Sequence, residues 1–268
     1  MISQEIQEKL RSRYNPDGSE LRNIQLRMLD MLLYLDGVCK KLNIHYWLSG
    51  GTCIGAVRHG GFIPWDDDID IEVMDKDYDV LIDYLRTHET DEFVLQTPET
   101  DPNYIMDFAK LRDKTTVLNE VFGIDSLYKY QGVFVDIFRM SPSNSKIIHF
   151  ICGRLRVFEI YCKKWSINNK FIKTLFPLIR HFNNGVIRLM KPIDRFRAGK
   201  NLRFEVGIPF SYTRIRKMDE VNKVVYLPFE GYQFPVPAQY DSYLRRIYGD
   251  YLIMKQDHNH FNGLNDNE

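Results

Sequence analysis

No stretch of the 268-residue chain is apolar for long enough to cross a membrane. The longest runs, MLLYL at 31–35 and the interrupted IIHFIC at 147–152, fall far short of the roughly 20 residues a spanning helix needs. The opening MISQEIQEKL has no apolar core of the kind a secretory signal carries, so neither export by that route nor membrane integration is expected. Cysteine is scarce. Cys39, Cys53, Cys152 and Cys162 show neither CxxC pairing nor a framework spacing, and a chain of this length buries a core without staples. Reduced thiols in a cytoplasmic protein are therefore expected, and disulfides or a zinc site are not. Low-complexity tracts and internal repeats are missing too, and 44% hydrophobic with 27% charged residues excludes disordered and fibrous architectures. Net charge is absent as well, 36 basic side chains against 36 acidic, which disfavours nucleic acid as a partner.

That neutrality averages three unlike parts. Residues 1–147 hold 16 basic and 25 acidic side chains, 148–217 hold 16 and 3, and 218–268 hold 4 and 8. The middle block is a separate electrostatic object. Around it the periodicity changes. Ser19 can cap a helix whose Leu21, Ile24, Met28, Leu32, Leu35, Cys39 and Leu42 recur at three- and four-residue spacing. Short strands are predicted at 44–48, 69–73, 93–96, 105–111 and 133–138, with a helical turn over 52–58 and an amphipathic helix over 75–88. Such alternation implies a sheet with helices on it. From 147 to 190 the period is helical throughout. Ile151, Leu155, Phe158, Cys162 and Trp165 form one apolar stripe and Leu175, Leu178, Phe182, Val186 and Leu189 another, both expected to face inward. The C-terminal part carries a Pro- and Tyr-rich loop, FEGYQFPVP, and a short helix over 238–248 that Gly249 can end. Three regions follow: a core at 1–146, a basic helical insertion at 147–204, and a segment at 205–268 that packs back on the core.

The segment LSGGTCIGAVRHGGFIPWDDDIDIE, 48–72, carries the chemistry. On a strand of period two, Asp68 and Asp70 share one face while Ile69 and Ile71 point to the other, and Asp66 joins that face if the strand starts early. Neighbouring carboxylates repel, and the usual remedy is a hard cation such as Mg²⁺, with Mn²⁺ as the alternative, that also takes substrate phosphates. Asp136 in GVFVDIF repeats the pattern of one acid among apolar neighbours. If its strand lies beside the first, three carboxylates converge and could activate a hydroxyl for in-line attack on phosphorus. Gly50 and Gly51, between strand and helix, permit close backbone approach to phosphate oxygens, and Thr52 adds a hydroxyl.

This segment closely resembles the signature of the LicD family, phosphocholine and phospho-alditol transferases that include the fukutin-type enzymes within the nucleotidyltransferase superfamily. AKLRDKTT (109–116), GVFVDIFRM (132–140), FEGYQFPVP and YGDY (248–251) add to the likeness. The resemblance implies an α+β fold, a nucleotidyltransferase-type mixed β-sheet core flanked by helices, here with the basic α-helical insertion. It implies Mg²⁺ dependence and transfer of a phospho-alcohol from a CDP-activated donor such as CDP-choline to a hydroxyl of a cell-surface glycan or its lipid-linked precursor, with release of CMP. Carried over by position, Asp68 and Asp70 resemble the metal-binding pair and Asp136 the third acid, ligand or proton acceptor, with Asp66 a further ligand or base. Gly50, Gly51 and Thr52 match the phosphate-contacting turn. Arg58, Lys110 and Arg112 are the cations expected at the donor diphosphate, and Trp65 either stacks on its base or belongs to the core.

Plainer readings stand beside these. WDDDID could be a solvated turn capping the helix at Asp75, Asp136 could pair with Arg112, and His258 and His260 are surface residues more readily than metal ligands. The basic block could lie on an anionic membrane surface at the cytoplasmic face, line an acceptor groove, or form a solvated helical subdomain packed on the sheet. Rival functions are a nucleotidylyltransferase that moves an NMP onto a small molecule and a non-catalytic membrane-associated scaffold.

Overall fold

The computed structural model describes residues 2–118, 124–208 and 214–253. His258 and His260 lie outside them. Helix α1 (Gln4–Tyr14) leads into α2 (Glu20–Leu42), and Ser19 caps α2 as its sequence predicts, its hydroxyl accepting from the Arg22 amide at 3.2 Å. Met28, Leu32 and Leu35 of the predicted stripe are wholly buried. Strand β1 (Tyr46–Leu48) runs into the glycine turn and a short helix, α3 (Gly50–Ile54), which continues as one π-helical turn over Gly55–His59. Next come β2 (Asp70–Met74), α4 (Asp75–Thr87), β3 (Phe93–Gln96), β4 (Ala109–Asp113) and β5 (Phe134–Pro142).

These strands form one mixed sheet in the order β1-β2-β5-β4-β3. Only β2 and β5 run parallel among these pairs, which is why α4 and two strands separate them in sequence. Ile71, Val73, Val135 and Ile137 are fully buried on the face that α2 and α4 cover. The opposite face begins with Asp70 and Asp136 and continues into Phe138. Two short strands absent from the sequence reading, β6 (Asn201–Phe204) and β7 (Arg216–Lys217), extend the sheet from the far end of β5, so the last residues of the 147–204 block belong to the core sheet.

After the short helix α7 (Met218–Val221), the stretch read as a loop is a hairpin of β8 (Val224–Phe229) and β9 (Tyr232–Pro237). Glu230 and Gly231 both take positive φ, 50° and 84°, the signature of a tight type I′ connection. Helix α8 (Tyr240–Tyr248) ends at Gly249 with φ 71°, as expected.

The basic block forms two long helices, α5 (Lys146–Ser166) and α6 (Lys170–Arg195), packed side by side. Here the sequence reading is corrected. Most of the expected inward stripe is exposed, including Phe158, Trp165, Leu178, Phe182 and Leu189; Cys162 is its buried exception. The buried side of α5 carries His149, Arg156 and Glu159 instead, and that of α6 carries Asn183 and Asp194 beside Phe176 and Ile187. These polar groups satisfy one another. Arg156 donates bidentately to Asp107 at 2.7 and 2.8 Å and to Glu159 at 2.5 Å, while Asn183 donates to the Leu155 carbonyl at 3.1 Å. His149 Nε2 lies 2.9 Å from Asp194, whose other oxygen accepts from the Ser145 amide at 2.8 Å. Periodicity marks an amphipathic helix but does not say which side is turned inward when the polar side can pair internally.

Candidate active site

The site is built where β2, β5 and the glycine turn meet. Asp70 and Asp136 are register partners on the parallel pair, so their side chains leave the same face of strands about 4.8 Å apart. Strand β2 starts at Asp70, later than an early-starting strand would; Asp66 and Asp68 precede it yet keep the alternation, half-exposed between buried Asp67 and Ile69. The glycine turn explains itself here. A Cβ on Gly50 would stand 2.6 Å from Asp70 Oδ2, and one on Gly51 would stand 2.6 Å from Asp66 Oδ2. Gly50 also has φ +55°, a conformation costly for other residues. Glycine therefore lets two carboxylates approach the backbone that was expected to meet phosphate. Thr52 is buried, and its hydroxyl accepts from the Asp70 amide at 2.9 Å, fixing the start of β2.

The three cations assigned to the donor are placed differently from that expectation. Lys110 sits opposite Asp136 across β4 and β5, its ammonium 3.0 Å from Asp136 Oδ1 and over the Phe134 ring, and it is 4% exposed. Asp136 thus pairs with Lys110, its register partner. Arg112 is fully buried and donates to Gln96 at 2.7 Å and to the Gly132 carbonyl at 2.7 Å. Arg58, also buried, donates to the Tyr251 carbonyl at 2.8 Å and to His59 at 2.8 Å, tying the C-terminal segment to the turn. Burial holds its guanidinium below the usual range against the opposing field of Asp66. Burial, then Arg58, pushes His59 down to about 3, which keeps it neutral and able to accept that bond. Trp65 packs inside, edge-on to Tyr14 with ring centres 5.2 Å apart.

Several residues of the site were not singled out from the sequence. Glu72, the last letter of DDDIDIE, is wholly buried two residues beyond Asp70. It accepts from Trp47 Nε1 at 2.8 Å, Ser49 Oγ at 2.7 Å, Tyr243 at 3.2 Å and Arg216 at 2.5 Å. Its principal counter-ion lies 144 residues away in sequence, so alternation could flag the acid but not the partner. Tyr248, within YGDY, brings its hydroxyl to Gly50 and into the field of Asp70 and Asp68. Burial, opposed by Arg214 and Arg216 and helped by Asp70 and Asp68, raises its pKa well above the ordinary phenol range, so it stays a donor. Arg214 is exposed, its guanidinium 5.1 Å from the Tyr248 ring centre.

Among the described residues, no three His, Cys, Asp or Glu side chains stand close enough to hold a metal ion unaided. The expected convergence of three carboxylates reduces to the Asp70–Asp136 pair with Asp66 and Asp68 along its edge. Two adjoining carboxylates fit Mg²⁺, which is commonly held through one or two of them with the remaining positions left to water and substrate phosphate. A cleft of about 550 Å³ lined by His45, Asp77, Met218 and Tyr226 opens elsewhere, at the end of β2 away from Asp70.

A mixed sheet that sets paired acids against a glycine turn defines the class, and residues 43–180 match the model of the LicD/FKTN/FKRP nucleotidyltransferase domain. The chain is 32% identical over 250 residues to the lipopolysaccharide cholinephosphotransferase LicD of Haemophilus influenzae, covering 87% of this chain and 91% of that protein. It belongs to the LicD family. Shorter local likeness links it to human ribitol 5-phosphate transferase FKRP, 48% over 40 residues (15% of this chain, 8% of that protein). A further match is to mouse ribitol-5-phosphate transferase FKTN, 36% over 52 residues (19% and 11%).

Proposed function

We propose that the chain is a phosphotransferase that moves phosphocholine, or a related phospho-alcohol, from a CDP-activated donor to a hydroxyl of a cell-surface glycan or its lipid-linked precursor, releasing CMP. The observation that carries this reading is the register pairing of Asp70 with Asp136 beside Gly50 and Gly51, in a chain alike over most of its length to a cholinephosphotransferase. An anionic diphosphate cannot rest against these acids without an intervening positive charge. Asp70 and Asp136 would hold Mg²⁺, with Asp68 at its edge, and a bound ion would supply neutralisation of the diphosphate.

The chain's own groups do the rest. Arg214 offers an exposed guanidinium to the departing CMP phosphate, and the Tyr248 hydroxyl donates a hydrogen bond at the same edge. The acceptor oxygen bonds to the phosphorus that carries the alcohol as the bond from that phosphorus to the CMP oxygen breaks. Lys110 pairs with Asp136 and holds its carboxylate in place, which leaves Asp66 to take the acceptor proton. Incubating the protein with CDP-choline, Mg²⁺ and a glycan acceptor, with CTP in a parallel reaction, tests the reading. CMP formed in step with phosphocholine incorporation supports it; pyrophosphate released from CTP on nucleotide transfer to the acceptor points to a nucleotidylyltransferase instead.

A further inference from the structure

The outward side of the helical hairpin has a chemistry that the transfer reaction does not use. Of the twenty-four large hydrophobic side chains exposed among the described residues, fourteen lie between Ile147 and Phe196. On α5, Ile147, Phe158 and Trp165 are 70%, 49% and 54% exposed; on α6, Phe171, Leu178 and Phe182 are 75%, 65% and 65% exposed. Three- and four-residue spacing gathers each set into one stripe per helix. The inward sides meet the body through Arg156 on Asp107, Arg180 on the Pro102 carbonyl and Arg195 on Asp75, so the stripes face away from it. A patch of this extent on a folded chain marks an interaction surface.

Charge identifies the occupant. The only acids of the two helices, Glu159 and Asp194, are both buried, whereas Lys146, Arg154, Lys164, Lys170, Lys173 and Arg188 are exposed. Every exposed charge on the pair is positive. A second copy docked on this face would bring like charges together, which disfavours a dimer. A surface that is apolar within and anionic at its rim is what an anionic bilayer presents. No helix among the described residues is long and apolar enough to cross a membrane.

We infer that the α5–α6 hairpin lies in the plane of an anionic lipid surface, its aromatic and aliphatic stripes at the acyl boundary and its lysines and arginines against the headgroups. The inference does not depend on the reaction assigned above. The hairpin is fastened at Asp75, beyond the end of β2, while Asp70 stands at the start of that strand, so docking leaves the carboxylate edge uncovered. This geometry also argues against the hairpin as the lining of an acceptor groove.

The three tryptophans make the test direct, because Trp47 and Trp65 are buried and Trp165 is exposed. The full chain is mixed with vesicles of phosphatidylcholine alone or of equal parts phosphatidylcholine and phosphatidylglycerol. Expected are co-sedimentation with the anionic vesicles, weaker in high salt, and a blue shift of emission that Trp165→Phe removes. Phe182→Glu and Leu178→Glu, each with an unchanged thermal midpoint, should weaken binding by about tenfold or more. Lack of both sedimentation and shift overturns the inference, as does equal binding to neutral vesicles. A blue shift that appears with rising protein concentration and no lipid overturns it in favour of a second copy.

Discussion

The carboxylate edge at 48–72 and the helical hairpin at 146–195 are both strongly patterned, yet their patterns resolve in opposite senses. At the edge, Ile69 and Ile71 are fully buried together with Asp67 and Glu72, while the alternating Asp66, Asp68 and Asp70 remain half-exposed. In the hairpin, Arg156, Glu159, His149 and Asp194 go in, and most of the phenylalanines and leucines stay out. The acids of the edge gather around a glycine turn, whereas the buried charges of the hairpin pair with one another. The apolar side of the hairpin is what remains to be covered. A polar group inside is thus a structural device in the hairpin, and at the edge the half-exposed acids are the candidates for the chemistry proposed.

The largest effect that could break this contrast is in the hairpin interior. Arg156→Met leaves half-buried Asp107 and buried Glu159 without their shared cation, and a loss of about 3–5 kcal/mol is expected. Thermal melting reads it, and a midpoint unchanged by the substitution would mean that the polar side is not the packed one. At the edge, Gly50→Ala places a side chain at φ +55° and against Asp70, a strain of about 1–2 kcal/mol. Transfer rate should fall by about tenfold or more through displacement of Asp70.

Acid should loosen the hairpin through Asp194. Burial alone would raise the pKa of Asp194, but hydrogen bonding and charge from His149, with the Ser145 amide and the Ser143 hydroxyl, outweigh it and hold the carboxyl below its usual range. Its folded value is therefore depressed. Its contribution is complete above the ordinary carboxylate range and is lost as pH falls through the lowered value. Hydrogen exchange at the end of α6 and the start of α5 should accelerate as pH falls through that lowered value; protection there that does not change on acidification would count against that role. The smallest effect is the most discriminating. Phe182→Glu should change stability by no more than about 0.5 kcal/mol, and a loss like that of Arg156→Met would return the apolar stripe to the core.

Local signals made much of this legible. The Ser19 cap, the α2 stripe, the acid alternation and the end of α8 at Gly249 all depend on neighbours within a few residues, and all are found. The adjacency of Asp70 and Asp136 was conditional on strand order, which the sequence left open and β2–β5 pairing supplies. What could not be read depends on distant partners. Glu72 needs Arg216, Asp136 is answered by Lys110, and β6 and β7 are too short to announce themselves. Arg58 and Arg112 looked like donor contacts because a lone cation resembles a solvated one until the carbonyls that receive it are known.

The central claim is that Asp70 and Asp136 together form the reaction centre. The most direct measurement is the single-turnover transfer rate of Asp70→Asn with the CDP donor that the unaltered chain consumes, alongside its thermal midpoint. The account predicts a rate lower by about 100-fold or more with folding preserved. A folded Asp70→Asn that transfers at the unaltered rate would contradict it.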